Sequence, residues 1–184
     1  MRCGRSLQPA DASPARSRPD RRRVDTGPRA KEGDLASDRI LELLRREVDP
    51  AEVAEIRELW KVHSIAEDNR DLPGLISTLT EDCVYTVAGT GASWERHEGA
   101  TRFYVELLAA FPDIHFDLDY IVVGPQGVCE EAVVTATHEG RWLEYEATGR
   151  RLEWRTAIFF PWDPVARKFK GETVYTDLAA TLLA

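Results

Sequence analysis

Three shortages narrow what this 184-residue chain can be. Cysteine occurs only at positions 3, 83 and 129, with no CxxC pair, which fits a reducing cytoplasm and gives no metal site. No apolar run approaches the roughly 18 residues that a membrane helix needs, and no apolar stretch follows the N-terminal basic residues as it would in a secretory signal. We therefore expect a cytoplasmic protein with no membrane partner and no bound metal.

The charge of the chain is negative overall but unevenly spread. The formal net charge of −8 argues against a nucleic-acid partner for the whole chain. Residues 1–33 hold nine Arg or Lys and four acidic residues, a balance of +5, which leaves −13 for the remainder. The first segment also has four prolines and almost no large apolar side chains, so it cannot bury enough surface to fold. We predict a disordered basic tail at 1–35, solvated or anion-binding, and one domain at 36–184.

Helical spacing dominates the first half of this domain. Apolar residues recur at helical intervals in 38–48. Asp49 and Pro50 then form a strong helix start, because Asp is a preferred N-cap and Pro suits the first helical position. Asp71 begins a short helix in the same way, and another helical stretch ends before Pro112. The sequence therefore predicts a set of N-terminal helices.

Strand signals dominate after residue 113. Apolar and polar residues alternate from Ile114 onward, and the segments 128–140, 151–162 and 168–177 follow with short turns between them. Consecutive strands joined by tight connections make an antiparallel meander. Helices followed by strands indicate an α+β fold. With so few helices, the sheet must curl around them to make one core.

The period of two along each late strand assigns its side chains to two faces. Counted from Phe169, Tyr175 and Asp177 share the face that holds the apolar residues, and His138 lies on the less polar face of its strand. A buried carboxylate without a partner costs several kcal/mol or takes up a proton. We therefore expect Asp177 to point into an apolar interior and to have a partner there.

Each candidate residue also has a simpler interpretation. Asp177 can cap the short helix that follows it, His138 can be a satisfied interior histidine, and His63 can be a packing residue of its helix. The aromatic candidates are most simply core residues whose polar ends find a partner. These are Tyr85, Trp154 and Tyr175.

Several short pieces of the domain match a known family. They are Asp71-Leu72, the run from Glu81 to Tyr85, Phe111-Pro112-Asp113, the run from Ala147 to Arg150, and Tyr175-Thr176-Asp177 followed by Leu182-Leu183. Through them, the chain from about Ile56 onward resembles the SnoaL-like polyketide cyclase branch of the nuclear transport factor 2-like superfamily. The resemblance implies a cone-shaped, strongly curved antiparallel sheet wrapped over N-terminal helices, with an apolar pocket at its open end. It also implies a homodimer packed through the sheet.

The resemblance further implies a reaction. In SnoaL-like cyclases an aspartate on the last strand acts as general acid/base in an aldol ring closure, assisted by a histidine on the preceding strand. Asp177 matches the aspartate, whereas 151–162 contain no histidine, so His138 is our conjectured substitute. No metal or organic cofactor is needed, because an activated carbon acid supplies the reactivity.

Two functions follow as hypotheses. The first is an isomerase or lyase, cyclisation included, that acts on a polyketide or another hydrophobic carbonyl compound with Asp177 and His138 as catalytic residues. The second is a non-catalytic module that binds a hydrophobic ligand or serves as a dimerising scaffold, since the fold hosts both uses. The residues expected to line the pocket are Trp60, His63, Tyr85, Trp154 and Tyr175.

Overall fold

Helices occupy the first part of the described chain and strands most of the second. The computed structural model describes residues 38–184, and the predicted tail at 1–35 lies outside them. Within the described range the elements are α1 (Asp38–Arg45), α2 (Pro50–Asp68), α3 (Leu72–Ser77), β1 (Leu79–Val87), β2 (Ala92–Glu95), α4 (Arg96–Ala110), β3 (His115–Gly124), β4 (Gly127–Thr137), β5 (Arg151–Asp163), β6 (Lys168–Thr176) and α5 (Leu178–Leu183).

The predicted helix starts are confirmed. The Asp49 carboxylate accepts a hydrogen bond from the Ala51 backbone N–H at 2.9 Å, and Pro50 is the first residue of α2. The Asp71 carboxylate accepts one from the Gly74 N–H at 3.1 Å at the start of α3. Each cap satisfies a backbone donor that the first helical turn would leave unpaired.

The strands form one curved, unclosed sheet in the order β2-β1-β6-β5-β4-β3. The predicted meander from β3 to β6 is confirmed, and so is the α+β class. Two details differ from the expectation. Strand β1 pairs with β6 in parallel, so the sheet is not purely antiparallel. Strand β2 is not among the strands that the sequence predicted, and it pairs with β1 as a hairpin.

The core lies between the helices and one face of the sheet. We call this the inner face and define it by Leu152, Trp154 and Ile158 of β5, which are all buried. Helix α4 packs against β1, and α2 packs against β3 and β4. The opposite, outer face of β5 bears Arg155 and Phe159, which are exposed. Buried and exposed side chains thus alternate along β5, as the period of two along a strand requires.

A bulge at Gly171 reverses the alternation along β6. Between the pairs Phe159–Thr173 and Trp162–Phe169, β6 contains one residue more than β5. Gly171 has a φ of +103°, which L side chains rarely adopt. Because a shift of one residue exchanges the two faces of a strand, Glu172 is buried and Tyr175 is exposed.

We expect Gly171→Ala to lower the free energy of unfolding by about 3 kcal/mol or more. A Cβ at this position would lie 2.1 Å from the Val84 carbonyl oxygen, in addition to the strained φ. Gly89→Ala is the matched control, because its φ is +82° but nothing lies within 4 Å of the added Cβ. It should cost only about 1 kcal/mol. Equal losses for the two variants in urea titrations would contradict the steric argument.

Candidate active site

An inner cavity of about 50 Å³ lies between the sheet and helices α2 and α4. Its wall is mostly apolar, and its aromatic members are Phe103, Phe116, Trp142 and Trp154. Two carboxyl groups also reach it, those of Glu67 at the end of α2 and Glu172 on β6. A carboxyl group in such a space is costly unless it is hydrogen-bonded or protonated.

An outer hollow of about 310 Å³ adjoins the inner cavity. It is bounded by the turn after β1, by residues 142–145 and by α5. The two spaces share four lining residues, which are Val87, Trp142, Thr176 and Leu178. The two spaces therefore adjoin, and the outer hollow is the wider and more polar of the two.

Glu172 is the most firmly held polar group at the cavity. Its side chain is 4% exposed, and its Oε1 accepts a hydrogen bond from the Tyr104 hydroxyl at 2.8 Å. The same oxygen lies 3.0 Å from Nε2 of His63, which is itself buried on α2. Both contacts end on Oε1, so Oε2 is left for the cavity that the residue lines.

The contact between His63 and Glu172 holds a proton. The Thr78 hydroxyl donates to the Leu75 carbonyl at 2.6 Å, so it can accept from Nδ1 of His63, which lies 2.7 Å away. With Nδ1 as a donor, a single proton remains between Nε2 and Oε1. The pair is then either an imidazolium beside a carboxylate or an imidazole beside a carboxylic acid. Both forms of the pair are neutral overall, so neither leaves an unpaired charge in the interior.

Glu67 is the second carboxyl group of the cavity and is half-buried as a residue. Desolvation of its carboxyl group, followed by the nearby Glu172 and Glu130 carboxyls, raises the pKa of Glu67 well above its ordinary value of 4.5. The nearby Arg70 acts in the opposite direction. The environment thus favours the protonated form of Glu67, which can donate a hydrogen bond.

Glu130 stands next to these groups, on the inner face of β4. It is 6% exposed and accepts a hydrogen bond from Nε1 of Trp60 at 2.8 Å. Burial first, and the Glu172 carboxyl second, raise the pKa of Glu130 to about 7. The hydrogen bond from Trp60 opposes this change.

Tyr85 and Tyr104 complete the buried polar group. Their rings meet edge to face, with centroids 5.7 Å apart. Burial, and then the Glu172 carboxyl, raises the pKa of both hydroxyls well above 10, so both remain protonated donors. Among residues 38–184 the Tyr85 hydroxyl has no hydrogen-bond partner. It is a free donor close to Glu172.

The expected inward orientation of Asp177 is wrong. The bulge at Gly171 places its side chain on the exposed outer face, where one carboxylate oxygen accepts a hydrogen bond from the Arg155 backbone N–H at 2.8 Å. Asp177 occupies the N-cap position of α5 but makes no capping hydrogen bond, and Thr176 Oγ1 accepts from the Leu178 N–H instead. Asp177 therefore ties β6 to β5 outside the cavity.

His138 is buried, as expected, but it does not line the cavity. Its ring stacks on Phe111 with centroids 5.0 Å apart, and Nδ1 lies 3.2 Å from the Thr148 hydroxyl. In the described part of the chain Nε2 has no partner. Desolvation lowers the pKa of this imidazole. The structure thus does not bring His138 and Asp177 together.

The expected pocket residues divide into three groups. Trp154 lines the inner cavity. His63 and Tyr85 are fully buried beside Glu172 and form the polar wall behind it. Trp60 is half-buried and contacts Glu130 instead. Tyr175 is 52% exposed on the outer face, so its expected place in the pocket is wrong.

Sequence reasoning missed the three acidic residues of the site, although each of them had a signal. Glu67 lies four residues after His63, on the same helical stripe. Glu130 lies two residues before Ala132 in β4, so the period of two places both side chains on the inner face of that strand. The glycine before Glu172 indicates a bulge, because an isolated glycine inside a strand often does.

Between residues 38 and 184, no group of three or more His, Cys, Asp and Glu residues is arranged to hold a metal ion. None of the helices in this range combines the length and the apolar character that crossing a membrane requires.

The family model for SnoaL-like polyketide cyclases matches residues 55–182, which include every residue that lines the cavity. The chain belongs to the SnoaL-like polyketide cyclase family. Membership in this family supports a function of the cyclase or isomerase type. No sequence among the curated proteins matches the chain.

Solved structures share the fold of this SnoaL-like domain. AclR from Streptomyces galilaeus is 23% identical, with a TM-score of 0.57 over 71% of this chain and 95% of AclR. IdmH from Streptomyces antibioticus is 20% identical, with a TM-score of 0.57 over 70% of this chain and 96% of IdmH. A SnoaL-like protein from Jannaschia sp. CCS1 is 17% identical, with a TM-score of 0.62 over 76% and 96% of the two chains. At these identities the likeness shows the fold alone.

Proposed function

We propose that the protein is a cofactor-free isomerase or cyclase for a neutral, hydrophobic carbonyl compound, with Glu172 as the general base. One observation carries the proposal. Glu172 lies in the wall of an otherwise apolar cavity, with one oxygen held by Tyr104 and His63 and the other left for the cavity. A base held in this way has a fixed position and a partner that adjusts to the change in its charge.

The residues present suffice for proton transfer next to a carbonyl group. Glu172 removes a proton from the carbon beside the carbonyl, and the electron pair moves to the carbonyl oxygen. Protonated Glu67 donates to that oxygen, where charge develops. Return of a proton to another carbon completes an isomerisation. Attack of the enolate carbon on a second carbonyl of the same molecule forms the new bond of a cyclisation, and the proton from Glu172 passes to the resulting alkoxide.

Of the two Streptomyces neighbours, only IdmH has a provisional name that agrees with such chemistry. AclR is named provisionally as a hydroxylase and IdmH provisionally as a polyketide cyclase. Within residues 38–184, neither Lys nor Arg lines the inner cavity, which favours a substrate without a negative charge beside the two carboxyl groups.

Deuterium exchange tests the proposed proton transfer without knowledge of the natural substrate. The probe is 2-tetralone, a neutral bicyclic ketone with an acidic CH₂ group beside its carbonyl. Proton NMR in D₂O follows the loss of that signal with and without the protein. We expect exchange faster than in buffer that contains the same concentration of free carboxylate. An unchanged rate would remove the support for proton abstraction.

A binding module without catalysis is the second candidate. The observation in its favour is the aromatic wall, since Phe103, Trp142 and Trp154 leave an inner cavity of only about 50 Å³. Saturable binding of 2-tetralone without exchange would select this function.

We also propose that the outer face of the sheet joins two copies of the chain. It exposes aromatic side chains that a monomer would leave in water, among them Tyr120, Phe159 and Tyr175. Arg155 on the same face is paired with Asp119 at 2.6 Å and Glu131 at 2.5 Å, so its positive charge is paired within the chain and these three side chains keep one negative charge. A second copy would cover the apolar part of this face.

Phe159→Glu is expected to convert the dimer to a monomer, because it would place an unpaired charge in the centre of that contact. Val165→Glu is the matched control. Val165 is 93% exposed in the turn between β5 and β6, away from the proposed contact. Sedimentation velocity at micromolar concentration should show a dimer for the wild type and Val165→Glu. A monomeric wild type, or dissociation of both variants, would exclude this interface.

A further inference from the structure

The inner cavity is too small for the ligand that its chemistry suits. It measures about 50 Å³, whereas an engineered cavity that binds benzene measures about 150 Å³. The outer hollow, at about 310 Å³, lies within the range of small-molecule sites. A bicyclic ligand can thus enter the hollow but cannot reach Glu172 while the wall between the two spaces stays in place.

Trp142 belongs to that wall. It lines both the inner cavity and the outer hollow and is 5% exposed. Its ring stacks on Trp94, with centroids 6.2 Å apart and planes 13° from parallel, and meets Phe103 edge-on at 5.9 Å. It is a large, flat side chain that borders both the outer hollow and the cavity that the carboxyl groups line.

The backbone that bears Trp142 is anchored at its base and not at its tip. At the base, Gly140 N–H donates to the Ala110 carbonyl at 3.2 Å, and Gly149 N–H donates to the His138 carbonyl at 2.9 Å. Between these anchors, the backbone–backbone hydrogen bonds described for residues 141–147 join Trp142 and Tyr145 to each other. We call residues 141–147 the mouth turn. Between its two anchors, this turn contacts the rest of the domain through side chains.

We propose that Trp142 is a movable partition and that it limits the size of the ligand. When the mouth turn swings outward, the indole leaves its place beside Trp94, and the inner cavity and outer hollow become one site. A planar apolar molecule then lies where the indole was, with its polar end at Glu67 and Glu172. That the polar end of the ligand is a carbonyl group rests on the proposed function, whereas the movement of Trp142 does not.

Stopped-flow binding of 2-naphthol, a neutral fluorescent bicyclic probe, tests the partition. For the wild type, the observed rate should level off as 2-naphthol increases, because opening of the mouth turn limits binding. For Trp142→Ala the rate should rise linearly, with an association rate at least tenfold higher. Glu146→Ala, in the same turn but exposed and outside both spaces, should behave as the wild type. Equal association rates for all three proteins, or no binding to Trp142→Ala, would overturn the proposal.

Fluorine NMR of wild-type protein labelled with 5-fluorotryptophan keeps the test valid if Trp142→Ala does not fold. The chain has five tryptophans, and Trp142→Phe assigns the resonance of interest. Saturating 2-naphthol should move the Trp142 resonance and leave that of Trp162 in place, since Trp162 lies outside both spaces and is bonded to Glu52 at 2.9 Å. A stationary Trp142 resonance would make the residue a fixed wall. Failure of deuterium exchange would instead reject the proposed reaction and leave the partition standing.

Discussion

Glu172→Gln is expected to slow deuterium exchange into 2-tetralone by about 10²–10⁴-fold, the usual contribution of a general base. The amide has nearly the same shape as the carboxyl group and can still accept the hydrogen bond from Tyr104, but it cannot take up a proton. The fold should therefore persist while exchange falls. Initial rates by proton NMR, together with urea titrations of both proteins, measure the two effects separately.

Asp177→Asn is the control that separates two locations for the base. The family resemblance implies that Asp177 is the general base, whereas we propose Glu172 because it lines the cavity. Because Asp177 is exposed and bonded to the Arg155 backbone, its amide variant should keep the wild-type exchange rate. A variant of Asp177 that loses exchange, beside a Glu172→Gln protein that keeps it, would reverse our assignment.

His63→Phe should act through Glu172 and not by contact with the substrate. Removing the imidazole leaves Oε1 with the hydrogen bond from Tyr104 alone among its described partners, and takes away the proton between His63 and Glu172. We therefore regard His63 as a positioning residue. The sequence predicted His63 as a packing residue of its helix. From the same position on α2, its imidazole also contacts Glu172, the proposed base.

The sequence could predict the fold because long, regular alternation survives in β4 and β5. Leu152, Trp154 and Ile158 are buried as their period of two requires. The capping residues Asp49 and Asp71 likewise act over a single helical turn, so their effect can be predicted from the neighbouring sequence alone.

The site could not be predicted in the same way, because a single inserted residue moves every later side chain of a strand to the opposite face of the sheet. On β6 the bulge at Gly171 moved Asp177 outward and Glu172 inward. On β3 an extra residue between Leu118 and Tyr120 similarly ended the predicted alternation. Gly171 indicated a bulge, but the register of β6 follows only from its pairing with β1 and β5.

Glu130→Gln is expected to stabilise the protein at high pH, an unusual result for a buried polar substitution. Burial raises the pKa of Glu130 from 4.5 to about 7, so the folded state keeps a proton that the unfolded chain has already lost. The stability that this provides is fully present below pH 4.5 and is lost as the pH rises through about 7.

The glutamine side chain has no proton to lose and can still accept the hydrogen bond from Trp60. At about 1.4 kcal/mol per pKa unit, the wild type should lose about 2–3 kcal/mol more than Glu130→Gln between pH 5 and pH 8. Urea titrations at both pH values measure this difference. Glu153→Gln, on the exposed face of β5, is the control and should follow the wild type. If the curves of Glu130→Gln and the wild type run parallel, Glu130 does not hold its proton in the folded protein. Because the Glu172 carboxyl is the second cause of that raised pKa, parallel curves would also weaken the assignment of a buried negative charge to the general base.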